Sequence, residues 1–388
     1  MEKDALFNKI YKTVEKGFEN LSDDNEIRLI YQKNQYDYDE GLKQLKKSIY
    51  KELDNCFKSI KEKKGNDTDI TEGVFLDTEN NKYDIFVILP IFNATNEQAT
   101  KCIYSIMDNY EELNYKLLIM SNRKLEIFKV IQENKIPSYI YLKSKFSLPE
   151  AYNLMIGYAK KNCVNEDSII SLMDDDAFIL TGQNNKIKEC YDRVKSDLYV
   201  VSSGHYYDIL PCKTDFEKMV NQTHTYNFVS NYKKPFCHGG ASFMLKIKNF
   251  PFNGLPITGL GGISINILSI EKNNSEKWFA YNDVELMVFH PRKSNLFAWI
   301  TTYLSYEIAW ERALNMLSQG DRDIWNRELK RSSRNRVEGL YERLKNEKQR
   351  KYVLGNIFLT RYLKPLLKSN LKYEEFKSFN VSTHMNLK

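Results

Sequence analysis

Apolar and polar positions change their period twice along the chain. Up to about residue 64, apolar residues recur at helical spacing among charged ones, as in Leu42, Leu45, Ile49, Leu53, Phe57 and Ile60, which predicts two or three helices. Residues 61–73, with Gly65, Asn66 and Asp67, read as a linker. Short apolar runs then take over. Residues 84–90, 116–121, 139–142 and 168–173 predict four buried strands, separated by helices over 94–110, 125–133 and 148–161. Pro149 falls in the first turn of the last of these. Alternating strands and helices predict an α/β fold, a sheet with helices on both faces, with ligands at the carboxyl ends of its strands. Beyond residue 197 the pattern is mixed, with strands near 198–203 and 241–247 and glycines at 254, 259, 261 and 262. From Tyr303 onward helices dominate, including a charged one over 321–351, and no internal repeat is present. The expected division is a helical region over 1–72, an α/β domain over 83–300 and a helical, basic region over 301–388.

Composition narrows the class. The 388 residues are 42% hydrophobic and 28% charged, enough to bury a sizeable core. The net charge of +6 belongs to the C-terminal part, where residues 311–388 carry 18 Lys/Arg against 9 Asp/Glu. Helical Lys and Arg with interspersed acids read as a solvated face, so no nucleic-acid partner is expected. The six cysteines form no CxxC pair and no zinc-site spacing, which predicts free thiols in a reducing compartment. Met1-Glu2-Lys3-Asp4 lacks the form of a signal peptide, and the richest apolar stretch, 295–310, is broken by Thr301, Thr302, Ser305 and Glu307. The expectation is a cytoplasmic protein. Residues 351–368 mix apolar and basic positions at helical spacing, which suits either an anionic membrane surface at the inner face or packing on the domain or a second subunit.

Three features carry chemistry. Asp174-Asp175-Asp176 directly follows the fourth strand, where adjacent carboxylates are expensive without a cation. Two carboxylates two residues apart, Asp174 and Asp176, suit a hard divalent ion that keeps positions open for phosphate oxygens. Asp283, within Tyr281-Asn282-Asp283-Val284-Glu285-Leu286, is a candidate general base. His290, within His290-Pro291-Arg292-Lys293-Ser294, sits beside two cations and a hydroxyl that suit phosphate, or completes a metal shell. Gly239 and Gly240 suit turns or a close approach to a sugar. No Walker loop, GxGxxG after a strand, or GxSxG occurs, which disfavours phosphate-loop NTPases, Rossmann dehydrogenases and α/β-hydrolases.

Taken in order, these residues resemble the GT-A glycosyltransferases of the large family 2 type. Leu89-Pro90-Ile91-Phe92-Asn93 is similar to that family's strand opening, and Ser105 to the Ser of the next helix. Ala151-Tyr152-Asn153 falls where the family has Ala-Arg-Asn, and Met173-Asp174-Asp175-Asp176 on its DxD motif. Gly240 to Lys246 resembles the acceptor-side strand, Asn282-Asp283-Val284-Glu285-Leu286 the Glu-Asp-x-x-Leu with the catalytic base, and His290 with Ser294 a His-x-x-x-Ser. The likeness covers about 83–300. It departs at Ser121-Asn122-Arg123, where the family has Asp-Asp-Gly-Ser, at Tyr152 for Arg, and at Asn282 for Glu. The stretch between Phe252 and Asp283 is also longer.

The resemblance implies a GT-A mixed sheet and an inverting transfer of sugar from a nucleotide-sugar, with a UDP-sugar first in line. Asp283 is the implied base. Pro90, Phe92, Asn93, Ser121, Asn122, Asn153, Asp174 and Asp175 are the implied donor contacts, with Gly239, Gly240 and Asn282 on the acceptor side. His290 and Arg292 fall to the diphosphate, and Asp174, Asp176 and His290 to Mn2+ or Mg2+. The implied acceptors are a surface or lipid-linked glycan or a protein; a homo-oligomer is compatible. The alternatives are an inactive GT-A-like binding module and a sugar nucleotidyltransferase. The second usually has a glycine-rich basic loop after its first strand, whereas residues 90–98 hold no Gly, Lys or Arg.

Overall fold

The computed structural model describes residues 3–62, 70–78, 81–92, 94–196, 200–208, 212, 214–221, 232–234, 242–250, 280–290, 295–345, 350–376 and 379–380. Three amphipathic helices open the chain: α1 (Lys3–Ser22), α2 (Asn25–Lys33) and α3 (Tyr38–Ser59). Asp24 and Asp37 cap α2 and α3 by accepting first-turn N–H groups. A two-residue strand, β1 (Lys61–Glu62), follows.

The α/β region then runs β2 (Gly73–Asp77), β3 (Ile85–Ile91), α4 (Asn96–Tyr110), β4 (Tyr115–Ser121), α5 (Ile127–Glu133), β5 (Ser138–Leu142), α6 (Leu148–Asn162), β6 (Ile169–Met173), β7 (Phe178–Ile179) and α7 (Asn184–Ser196). It continues through β8 (Val200–Asp208), α8 (Asp215–Asn221), β9 (Tyr232–Lys234), β10 (Ser242–Lys246) and β11 (Ala280–His290). Ten of these strands form one mixed sheet in the order β2-β5-β4-β3-β6-β10-β8-β11-β7, with β9 on β11. The expected four-strand parallel centre is present as β5-β4-β3-β6. Both β2 and β10 run antiparallel to their inner neighbours.

Alternation along β3 explains why helices cover both faces. Ile85, Val87, Leu89 and Ile91 join one core with α4, α5 and α7, while Phe86 and Ile88 join a second core with α6. Capping boxes at Thr95/Gln98 and Ser147/Glu150 set the starts of α4 and α6. Lys116, buried near the amino end of β4, donates to Asp77, to the Thr78 carbonyl and to the Tyr158 hydroxyl, which pins the edge strand β2.

The chain closes with α9 (Leu296–Met316), α10 (Gln319–Leu344), α11 (Arg350–Ile357), a π-helical stretch (Phe358–Leu363), α12 (Lys364–Asn370) and β12 (Phe379–Asn380). The two ends of the chain share one hydrophobic core. Ile10, Val14, Phe18, Leu45 and Leu53 pack with Val353, Leu354, Phe358 and Leu363, and the rings of Phe18 and Phe358 stack at 4.1 Å. Phe216 and Met219 of α8, and Leu296, Phe297, Trp299 and Ile300 of α9, enter the same core. The apolar positions of 351–368 therefore face protein. Gly355 permits close packing there, since a Cβ would lie 2.5 Å from the Met219 sulfur. An antiparallel pair, β1 with β12, ties the end of α3 to the last described residues. None of the described helices is long and apolar enough to cross a membrane, and the five described cysteines are free.

Candidate active site

The strand order puts a topological switch point between β3 and β6, because the connection from β3 runs to β4 on one side while β6 lies on the other. Crevices at the carboxyl ends of such strand pairs receive ligands. Here the crevice has a local cause. Pairing of β3 with β6 stops at Ile88–Leu172, although β3 continues along β4 to Ile91–Ser121. Pro90 lies in the segment that parts from β6, where it has no N–H to offer a ladder.

The three acids leave β6 at this mouth. Asp174 closes a turn, its carbonyl accepting the Ala177 N–H at 3.2 Å and the Cys102 thiol at 3.5 Å. Asp175 points onto its own chain: one oxygen, Oδ2, accepts the N–H groups of Phe92 (2.8 Å) and Ala94 (3.1 Å). Asp176 is buried, with 6% of its surface exposed. The loop after β3 is also gripped from its other side. Asn122 donates to the Phe92 carbonyl at 2.8 Å, and Arg123 donates to the carbonyls of Phe92 and Ala94 and to Asn122 Oδ1. Ser121 accepts the Arg123 N–H and donates to its carbonyl. The main chain of Phe92 and Ala94 is thus held by a carboxylate on the β6 side and a guanidinium on the β4 side.

Two tyrosines border the acids. Tyr152 on α6 is buried, and desolvation, then Asp174 and Asp175, push its phenol far up. Tyr306 on α9 keeps 45% of its surface exposed on one side, while desolvation of its hydroxyl, then Asp174 and Asp176, push that phenol up to about 12. Both phenols therefore stay neutral donors beside the acids. Sequence periodicity assigns Tyr306 to a separate helical region and gives no sign of this placement. For Arg123, the departure from Asp-Asp-Gly-Ser is the available signal.

Backbone register connects the remaining candidates. Met173 pairs with Ser242, Phe243 pairs with Ser202, and Ser203 pairs with Asp283. Followed across the sheet, these pairs put Asp283 on the same transverse level as the end of β6, three strands away or roughly 14 Å. The β8–β11 register shifts between Asp283 and Met287, a bulge just beyond the candidate base. The segment after the acids, β7, pairs antiparallel with the end of β11 through Phe178–Phe289, and those rings stack at 5.2 Å. Extended by one residue, that pairing sets His290 opposite Ala177, next to Asp176. Asn153 lies half-buried on α6. Asn93, Gly239, Gly240 and Arg292 lie outside the described residues, as do the side chains of Asn282, Asp283 and His290.

The donor set suits a hard cation in part. Asp174 and Asp176 offer carboxylate oxygens; the field of Asp174 acts on both tyrosines and that of Asp176 on Tyr306. Among the described residues no three His, Cys, Asp or Glu side chains converge on one point. Two protein ligands, with His290 one strand residue away, match an ion that shares its shell with phosphate and water.

No protein-family model matches the chain, and no curated protein matches it. Among solved structures it is similar to S. aureus TarS 1–349 in complex with UDP, at 11% identity and TM-score 0.39, over 62% of this chain and 68% of that one. A second structure of S. aureus TarS 1–349 matches at 12% identity and TM-score 0.40, over 76% of this chain and 90% of that one. GalNAc-T7 with UDP, GalNAc and Mn2+ matches at 10% identity and TM-score 0.39, over 55% and 44%. At such scores these likenesses stand beside the fold, which rests on this chain's own strand order and register.

Proposed function

We propose that this chain is a GT-A-type glycosyltransferase that moves a sugar from a nucleotide-sugar to a hydroxyl acceptor with inversion at the anomeric carbon. One observation carries the reading: the acids directly follow β6 at the switch-point crevice, Asp283 pairs into the sheet level with the end of β6, and the segment after the acids pairs with the His290 end of β11. In this reading the diphosphate lies over Asp174 and Asp176, and the sugar extends toward β11. Asp283 takes the acceptor's proton as its oxygen attacks the anomeric carbon, and the bond to the diphosphate breaks with the electron pair leaving on phosphate oxygen. A separation of about three strand spacings leaves room for a sugar between acid site and base. A divalent ion bound by Asp174 and Asp176, with His290, would neutralise the charge that develops on the leaving diphosphate. Tyr152 and Tyr306 remain protonated at neutral pH and act as hydrogen-bond donors at that edge. The acceptor is a glycan, a lipid-linked glycan or a protein.

The test is a thermal-shift screen of UDP-, GDP-, CMP- and dTDP-sugars, each with and without Mn2+. A metal-dependent rise with one donor, lost in Asp176→Ala, supports the donor and metal sites. Asp283→Asn should abolish transfer and keep that rise; turnover near the parent's would remove Asp283 from its role.

A further inference from the structure

Just past Asp283, β11 leaves its register with β8. Asp283 pairs with Ser203 and Met287 with His205, so β11 takes four steps where β8 takes two. Residues 284–286 stand outside that register, and the course of the strand beside the candidate base needs other anchors. The start of α7 and the segment before it supply them. Gln183, the residue that precedes α7, accepts the Met287 N–H on Oε1 at 3.0 Å. Lys186 pairs with Glu285 at 2.6 Å. Leu286 is buried in the core that also holds Ile187 and Cys190 of α7. The Met287 carbonyl accepts the Leu180 N–H at 3.0 Å.

Gln183 is itself held from the other side. Cys102, Ser105 and Asn109, at positions i, i+3 and i+7, share one buried face of α4. The Cys102 thiol donates to the Asp174 carbonyl, Ser105 Oγ accepts the Ile179 N–H at 3.1 Å, and Asn109 Oδ1 accepts the Gln183 N–H at 2.7 Å. Asn109 Nδ2 donates to the Ser105 carbonyl at 2.8 Å, which fixes the oxygen end of its amide toward Gln183. The segment from the acids to α7 is thus docked on one helix face, and its last side chain grips β11. Acid site and base strand are joined through this corner as well as through the sheet.

We propose that Gln183 is a positioning residue for the candidate base: by holding the Met287 N–H it sets where β11 presents Asp283 relative to the acids, and so governs turnover. This rests on the glycosyltransferase reading above. Gln183 acts through Asp283 rather than on the donor, so its loss falls on the rate of the chemical step and spares donor binding. A misplacement of about 1 Å at a reacting group costs on the order of a hundredfold in rate.

The test is release of nucleoside diphosphate by the full chain from UDP-glucose, UDP-N-acetylglucosamine, GDP-mannose and dTDP-glucose in Mn2+, with water as the acceptor whose proton Asp283 takes. Gln183→Met fills similar space without an acceptor and should lower kcat about tenfold or more, while KM and calorimetric binding of the same nucleoside diphosphate stay within about twofold. Gln183→Asn, whose amide is one methylene short of Met287, is the milder variant and should show the same split. Gln183→Glu keeps an oxygen for Met287 and should hold kcat within about threefold of the parent. Amide exchange at Met287 reads the hydrogen bond itself and should quicken about tenfold or more in Gln183→Met but not in Gln183→Glu. An unchanged kcat in Gln183→Met, a loss that Gln183→Glu does not restore, or a fall in donor binding that matches the fall in kcat overturns the inference and leaves the glycosyltransferase reading standing. Release from none of the four donors by the parent removes both.

Discussion

Asp175 shows how one carboxylate in a run of three acquires a separate task. It accepts two main-chain N–H groups from a loop more than eighty residues earlier and so joins the ends of β3 and β6 across the crevice. Asp175→Ala leaves both N–H groups without that acceptor and should cost about 2 kcal/mol in urea unfolding. Asp175→Asn, which keeps one oxygen, should cost less than half as much. The three acids are legible in the sequence, because a charged run after an apolar strand is unusual on its own. The division of labour among them is not. Which acid turns inward depends on where Phe92 and Ala94 lie, and that is settled by the pairing of β3 with β6. Arg123 and Tyr306 are hidden for the same reason, their partners being distant in sequence.

Among the elements, the βα units are legible to within one or two residues, since each carries its own apolar period, and α4 and α6 their own capping boxes. The strand β11 is harder to read. Its acids interrupt the alternation, and its partners β8, β7 and β9 come from separate stretches of the chain. Helix α9 depends on another element at its start, where the Leu296 N–H donates to Glu52 of α3 at 3.3 Å. Burial raises the Glu52 carboxyl, against the opposing pull of that N–H and the Cys56 thiol. A carboxyl raised on folding contributes stability below its unfolded value, near 4.3, that is lost as pH rises through the folded value. Glu52→Gln keeps an acceptor for Leu296 and removes this loss. Its melting temperature relative to the parent should therefore be higher at pH 7 than at pH 4, while Glu52→Ala should melt lower at both. Melting curves at the two pH values check this.

For the whole molecule, the α/β centre with helices on both faces follows from local pattern, but the union of the two chain ends does not. Amphipathic helices declare that they have an apolar face without saying what covers it. Here α1 and α3 are covered by α11 and the turns after it, and Leu371, Phe376 and Phe379 complete that body. Deleting 371–388 removes these three buried side chains, at about 1.5–3 kcal/mol each. Set against a typical total of roughly 5–15 kcal/mol, the truncated chain should lose its cooperative melt or give no soluble protein. A truncation that melts like the parent would show that the helical body stands without its last segment.

That shared core also sets a timetable for synthesis. The first three helices are complete by Ser59; α8 and α9 reach their core from Asp215 and Leu296, but the last part of the covering face begins at Arg350, about 290 residues later. At about 5–20 residues per second the ribosome needs roughly 15–60 s to deliver it. Throughout that interval Ile10, Phe18, Leu45 and Leu53 lack the C-terminal part of their native packing, so the N-terminal helices are the part of this nascent chain that calls for a chaperone.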